Sequence, residues 1–441
     1  MLPPGPRGHL LVGCLPEFRR DMLGFLAACV RDYGDVVPIR VVNRRLILLS
    51  HPDLIEEVLT ARARHTTKTA ILQMLRPVLG DGLLLSEGDS WLRQRRLMQP
   101  AFHRQRIAGY GDVMAGYAER GMADWRDGQT RDVHADMMAI TQGIVAKTLF
   151  DADVSDDAYD VGHALHVLME DFSRRRTALF ALPRFVRTPA RRRARAAVER
   201  LDRIVYDIIA ARRASDEDRG DLLSILLAAR DADDGSRMTD RQVRDEIMTL
   251  FLAGHETTAV SLSWTWYLLA QHPEVEATLA AELRGVLDGR LPTVADLPQL
   301  RYAEMVVMES MRLYPPAFTL TRRVAEACEV GGHRIEAETT LIMSQWIVQR
   351  DARWFDAPEA FRPERWENDL AKRLPRYAYF PFGGGPRLCI GNTFAMMEAT
   401  LLLATIARRF RFRLAPGASV KPLLSVTLRP AEGIHMTLSA R

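Results

Sequence analysis

Cys389 stands near the end of the stretch Phe382-Gly383-Gly384-Gly385-Pro386-Arg387-Leu388-Cys389-Ile390-Gly391, just before an apolar helical run through Phe394, Met397 and Leu401. A cysteine beside a helix start favours its thiolate form, and a thiolate is a soft, electron-rich metal ligand. The glycines at 383 to 385 and at 391 permit positive φ and close packing against a flat macrocycle. Successive backbone N–H groups of such a loop can point at the sulfur and tune a bound iron. A lone cysteine is ordinarily an inert core thiol. Here the glycine frame, with an aromatic and an arginine at fixed offsets, points instead to an axial ligand.

A second unusual segment is Phe251-Leu252-Ala253-Gly254-His255-Glu256-Thr257-Thr258. It falls at the centre of the longest predicted helix, which runs from Thr239 to about His272. Thr239 and Gln242 form a capping-box pattern, and Pro273 supplies the stop. At about 1.5 Å per residue this helix is roughly 50 Å long, enough to cross a molecule of this size. A mid-helix glycine costs about 1 kcal/mol relative to alanine, and adjacent β-branched threonines add to that, so propensity alone does not select the segment. Gly254 would let a flat ligand approach the backbone, while the Thr257 hydroxyl could bond back to the Ala253 carbonyl and open the helix locally. Packing of two helices at a small residue is the competing explanation.

Glu309 and Arg312 lie three apart, on one helix face and within salt-bridge reach. Arg365, in Phe361-Arg362-Pro363-Glu364-Arg365-Trp366, is the predicted third member, because an aromatic-flanked loop can dock on that helix and bury the set. A buried triad of this kind is structural rather than catalytic. Around these motifs, strands are predicted at Val36 to Val42 and Arg45 to Ser50 with a turn at Asn43-Arg44, then a helix from Pro52. Helical periods dominate from about Trp91 to Leu287, and strands return at Thr339 to Ser344, Ser425 to Arg429 and Ile434 to Ser439. The fold class is mainly α with a minor β-sheet part. No repeat or long linker interrupts the chain, so residues 1–441 read as one domain.

The 441 residues are 47% hydrophobic and 26% charged, which excludes disordered and fibrous classes. Sixty basic and 56 acidic residues nearly cancel, to a net +4, and nothing global argues for nucleic acid. Cys14, Cys29, Cys328 and Cys389 are scattered without a C-x-x-C pair, which speaks against a disulfide framework and fits a reducing cytoplasm. The apolar run Met22 to Val30 is too short to span a bilayer, so no transmembrane anchor or signal peptide is expected.

Taken together, these motifs resemble those of the cytochrome P-450 family. The pattern F-x-x-G-x-R-x-C-x-G is matched by Phe382, Gly385, Arg387, Cys389 and Gly391, and A-G-x-[DE]-T-T by Ala253, Gly254, Glu256, Thr257 and Thr258. The E-x-x-R helix is matched by Glu309 and Arg312 and the arginine of the following meander by Arg365, in the family's order and spacing. The final Trp366 replaces the commoner Phe. The resemblance covers essentially the whole chain and implies the P-450 fold, with heme b (iron protoporphyrin IX) between the long helix and the Cys loop. It implies Cys389 as the iron ligand, and Trp91 and Arg95 as the W-x-x-x-R contacts to a heme propionate. Arg322 and Arg387 sit where further propionate contacts are expected.

The resemblance further implies a soluble, monomeric, cytoplasmic monooxygenase of the bacterial type. Its thiolate favours O–O cleavage of O2, Thr257 and Glu256 deliver protons, and an apolar small molecule is hydroxylated or epoxidised. Two electrons per turnover would come from NAD(P)H through a reductase and a ferredoxin or flavodoxin, since no flavin or iron–sulfur domain is visible. Arg93, Arg96, Arg104 and Arg106 are candidates for a basic face that such an acidic partner would meet. Arg174 to Arg176 and Arg191 to Arg193 flank the apolar Ala178 to Leu182, in what the resemblance makes an entrance lid. The Ala-Gly-His-Glu-Thr-Thr helix and Tyr314-Pro315-Pro316 look like the fatty-acid and lipid hydroxylase side of the family, although terpenes, steroids and polyketides are processed on similar frames. A peroxide-driven peroxygenase or isomerase and a heme-thiolate sensor are the rival readings, and neither has evident use for the Glu256-Thr257 pair.

Overall fold

The computed structural model describes residues 2–151, 188–215, 219–231 and 233–441, with 164, 167, 168, 171 and 172. Arg174 to Arg176 and the apolar Ala178 to Leu182 lie outside the described residues. Backbone contacts gather the chain into two compact units, each built from two stretches: Met1–Gln73 with Met308–Cys389, and Met74–Val307 with Ile390–Arg441.

The first unit is organised by a five-stranded sheet in the order Val36–Val41, Arg44–Leu49, Thr340–Met343, Leu320–Val324, Thr66–Thr67. Arg44–Leu49 and Thr340–Met343 pair in parallel, and the other pairs are antiparallel. Period-two alternation sends Ile47 and Leu49 to one face, where they meet Ile55, Val58 and Leu59 of the helix Pro52–Leu59. Leu48 and Ile342 go to the other face with Leu26 and Cys29 of the helix Met22–Tyr33. The first two strands turn at Val42-Asn43 rather than Asn43-Arg44: Arg44 pairs with Val41, and Val42 takes φ 55°.

In the second unit the long helix runs Asp240–Gln271, with Thr239 and His272 as its caps. Both halves of the capping box form, Gln242 N donating to Thr239 Oγ1 and Thr239 N to Gln242 Oε1. The helix packs against Val133–Phe150, Asn392–Ala407 and Pro189–Ser215. Strands Thr130–Asp132, His435–Ala440 and Phe410–Leu414 form an antiparallel sheet, in that order. Near the C-terminus the strand predicted at Ser425 to Arg429 is instead Leu428–Pro430, paired with Pro422–Leu424. Ser425 to Thr427 make the turn between the two, closed by Ser425 N donating to Thr427 O at 2.9 Å. Among the described residues no helix is long and apolar enough to cross a membrane.

Candidate functional site

The Cys389 side chain is exposed, unlike Cys14 and Cys29, which are buried. Burial pushes the Cys29 thiol up to about 12, so those two behave as core thiols. The loop that presents Cys389 is shaped by its backbone. Cys389 N donates to Phe382 O at 3.0 Å, Leu388 N to Gly385 O at 3.1 Å, and Gly385 N to the Tyr377 hydroxyl at 3.1 Å. Gly385 takes φ +64°, and a Cβ there would stand 1.9 Å from the Leu59 carbonyl oxygen, so the loop could not lie this close to the helix Pro52–Leu59 with any other residue. Of the other glycines in the motif, Gly383 also uses positive φ, whereas Gly391 has φ −94° and room for a side chain. Phe382, Arg387 and Gly391 are half-buried.

On the strand Leu320–Val324 alternation sends two adjacent arginines to opposite faces. Arg322 is buried and donates to the Thr321 carbonyl at 3.0 Å, while Arg323 turns outward and pairs with Glu338. In the second unit, Trp91 and Arg95 are half-buried and one turn apart on the helix Gly88–Met98.

Glu309, Arg312 and Arg365 come together as a buried network. Arg312 Nε and Nη2 reach the two Glu309 oxygens at 2.8 and 2.9 Å, and Arg365 Nε donates to Oε1 at 2.8 Å. Arg362 N and Trp366 Nε1 complete the set, each at 3.0 Å. The remaining guanidinium N–H groups go to carbonyls: Arg312 Nη1 to Gln349 and Pro358, Nη2 to Ala360, and Arg365 Nη1 to Asp356. Burial lowers the Arg365 pKa, and the Glu309 charge opposes that shift. The tryptophan that replaces the commoner phenylalanine thus supplies a donor that phenylalanine lacks. Its role depends on a carboxylate 57 positions away, which local sequence does not reveal.

On the long helix, Ala253 is exposed and Thr257 is half-buried, whereas His255, Glu256 and Thr258 are buried. Thr257 Oγ1 donates to Ala253 O at 2.6 Å, as the spacing suggested. The helix is nevertheless continuous, because a carbonyl can accept a hydroxyl and its own helical N–H together. Gly254 packs against a neighbouring helix. Its absent Cβ would point at Val145 Cγ2, 3.0 Å away on the helix Val133–Phe150, so close helix packing accounts for the glycine. Ala253 is the exposed position beside it. His255 donates from Nδ1 to Phe251 O at 2.8 Å, and burial lowers its pKa. Glu256 accepts from Thr427 Oγ1 at 2.8 Å, a partner with no motif to announce it.

Two of the four arginines named as candidates for a basic face have acidic partners. Arg93 pairs with Asp231 at 2.6 Å and exposed Arg96 lies 3.4 Å from Asp233, while Arg104 and Arg106 are exposed.

Comparison with known proteins gives these features a family. The Cytochrome P450 family profile matches residues 3–437. Cyclooctatin synthase of Streptomyces melanosporofaciens is 40% identical over 425 residues, covering 96% of this chain and 92% of that protein. The cyclooctat-9-en-7-ol 5-monooxygenase of the same organism is 38% identical, covering 93% and 89%. Pentalenene oxygenase of Streptomyces avermitilis is 35% identical, covering 98% and 96%. A crystal structure of the cytochrome P450DA heme domain superposes with a TM-score of 0.91 at 26% identity, over 100% of this chain and 98% of that one. The family uses heme and O2. A glycine-framed cysteine loop, an acid–alcohol helix and end-to-end agreement with that family converge on one assignment, and the chain belongs to the cytochrome P450 monooxygenases.

Proposed function

We propose that this protein inserts one atom of O2 into a terpene, with Cys389 as the thiolate that would hold a heme b iron. The observation that carries the reading is Cys389 itself: an exposed thiol on a rigid glycine-framed loop, in a chain whose other described thiols are buried or partly so. The residues present fit the group. A soft sulfur donor suits iron, buried Arg322 and half-buried Arg387 suit carboxylate side arms, and Trp91 with Arg95 offers a donor pair one turn apart. Heme ligated by a thiolate supplies the electron push that cleaves O–O bonds.

The chain's own residues supply positions and protons. By the family resemblance, Arg322, Arg387, Trp91 and Arg95 would each offer a propionate contact, and exposed Ala253 is a small, apolar position on the long helix. Thr257 presents a hydroxyl whose own proton is engaged by the Ala253 carbonyl, leaving its lone pairs to accept. Glu256 takes up and returns protons beside it. Terpenes are favoured over the fatty acids suggested by the motifs, because two relatives are named for acting on pentalenene and on the unsaturated alcohol cyclooctat-9-en-7-ol. The enzyme works as a cytoplasmic monomer, and its electrons come from NAD(P)H through a reductase and a ferredoxin or flavodoxin.

The test is the optical spectrum of the reduced protein under carbon monoxide, beside that of Cys389→Ala. A strongly red-shifted Soret band lost in the variant is expected. A wild-type spectrum without that shift means that a thiolate does not bind the iron. Turnover of a terpene panel beside a fatty acid then separates the substrate classes.

A further inference from the structure

The carboxyl group of Glu256 is tied to a part of the chain that carries no family motif. Thr427 ends the turn of the short hairpin Pro422–Leu424 and Leu428–Pro430. Its Oγ1 donates to Glu256 Oε1 at 2.8 Å, and both residues are buried. The hairpin is fixed to the same helix a second time, where Trp264 Nε1 donates to Leu428 O at 2.6 Å. Residues 256 and 264 are separated by about 12 Å along the helix axis, so the hairpin cannot slide or tilt on the helix without breaking one of the two bonds. The threonine hydroxyl is therefore aimed, and it is the one hydrogen bond reaching the Glu256 side chain among the described residues.

We infer that Thr427 is the positioning residue for Glu256, holding one carboxyl oxygen so that the other takes up and returns the proton. The inference rests on the proposed role of Glu256. A neutral hydroxyl fixes the rotation of the carboxyl group without supplying a charge that would lock it ionised, which a guanidinium would do. A buried carboxyl without this donor would turn freely and pay for an unsatisfied oxygen.

Thr427→Val removes the hydroxyl at nearly constant volume, and Thr427→Ser keeps it. Two quantities are measured on heme-loaded protein: product formed per NAD(P)H with a ferredoxin and its reductase, and the infrared carboxyl band of Glu256. The band is isolated without turnover, as the difference between each protein and its Glu256→Gln counterpart. The loss of one hydrogen bond corresponds to a coupling drop of about fivefold in Thr427→Val, with peroxide rising and the infrared band displaced. Thr427→Ser should stay within about twofold and keep the band. Thr427→Ala serves in place of the valine variant if that one does not fold. Valine behaving like wild type in both measurements overturns the inference, and so does serine failing as badly as valine, which would make the shape of the side chain the cause. If Glu256→Gln alone leaves coupling intact, the acid role of Glu256 falls and this inference with it. If Glu256→Gln is impaired while Thr427→Val is not, only the inference falls.

Discussion

Glu309 and Glu256 are both buried helical glutamates, and they are held in opposite ways. Among the described residues, Glu309 accepts five hydrogen bonds, three of them from guanidinium groups, whereas Glu256 accepts one from a neutral hydroxyl. A carboxylate saturated by fixed positive donors has one charge state and one geometry, which suits a structural joint. A carboxylate with one neutral donor can change its charge, which suits the proton handling proposed for Glu256. Donor count and donor charge, more than burial, thus separate the two roles.

The largest expected effect comes from breaking the saturated site. Glu309→Leu leaves two guanidinium groups buried without their counter-charge, at a cost of about 3–5 kcal/mol or more. Domains of ordinary stability have roughly 5–15 kcal/mol in total, so the variant should accumulate unfolded or without heme. Thermal unfolding and the carbon monoxide spectrum measure this. A Glu309→Leu protein that loads heme and melts near wild type would mean that the network is dispensable and that the contrast with Glu256 carries no structural information.

A third buried glutamate sharpens the comparison. Glu398, on the helix Asn392–Ala407, has no well-formed hydrogen bond to either oxygen among the described residues. Burial raises its carboxyl from 4.5 to about 8, against a weaker opposing pull from the Thr258 hydroxyl. A raised carboxyl pKa means that the folded protein holds the proton more tightly than the unfolded chain. Its contribution is therefore full below about pH 4.5 and declines as the pH rises towards 8, where the buried group must ionise. Glu398→Gln, which stays neutral, should gain stability relative to wild type across that window. Chemical denaturation of the two proteins at several pH values measures the difference. A constant difference between them would mean that Glu398 is ionised throughout.

The contrast between these glutamates was only partly legible in the sequence. The ends of the long helix were readable because Thr239, Gln242 and Pro273 act within a turn of where they stand. Glu309 and Arg312 were readable because their spacing puts them on one face, and Arg365 because an aromatic-flanked loop needs a surface to dock on. Gly254 is ambiguous in the sequence, since a glycine in a helix announces a close neighbour without saying whether that neighbour is a ligand or, as here, Val145. Thr427 was invisible, since its effect depends on a hairpin returning to the helix 171 residues later. The pairing of Arg93 with Asp231 is likewise hidden, since nothing local brings position 231 back to the helix Gly88–Met98.

The smallest expected effect tests whether the fifth donor to Glu309 matters. Trp366 is buried against Tyr379, with ring centroids 4.4 Å apart, and its Nε1 supplies one of the two hydrogen bonds to Glu309 Oε2. Trp366→Phe keeps an aromatic ring at the site but leaves that oxygen with Arg312 Nε alone. A hydrogen bond to a charged group contributes about 1.5–3 kcal/mol, and the four remaining donors should soften the loss to about 1–2 kcal/mol. The thermal midpoint should then fall by a few degrees, while the carbon monoxide spectrum and product yield per NAD(P)H stay as in wild type. An unchanged midpoint would mean that four donors already saturate Glu309 and that the indole contributes only its packing. A loss of coupling without a loss of stability would contradict the division drawn between the two glutamates, because a change confined to the structural joint would then have reached the chemistry.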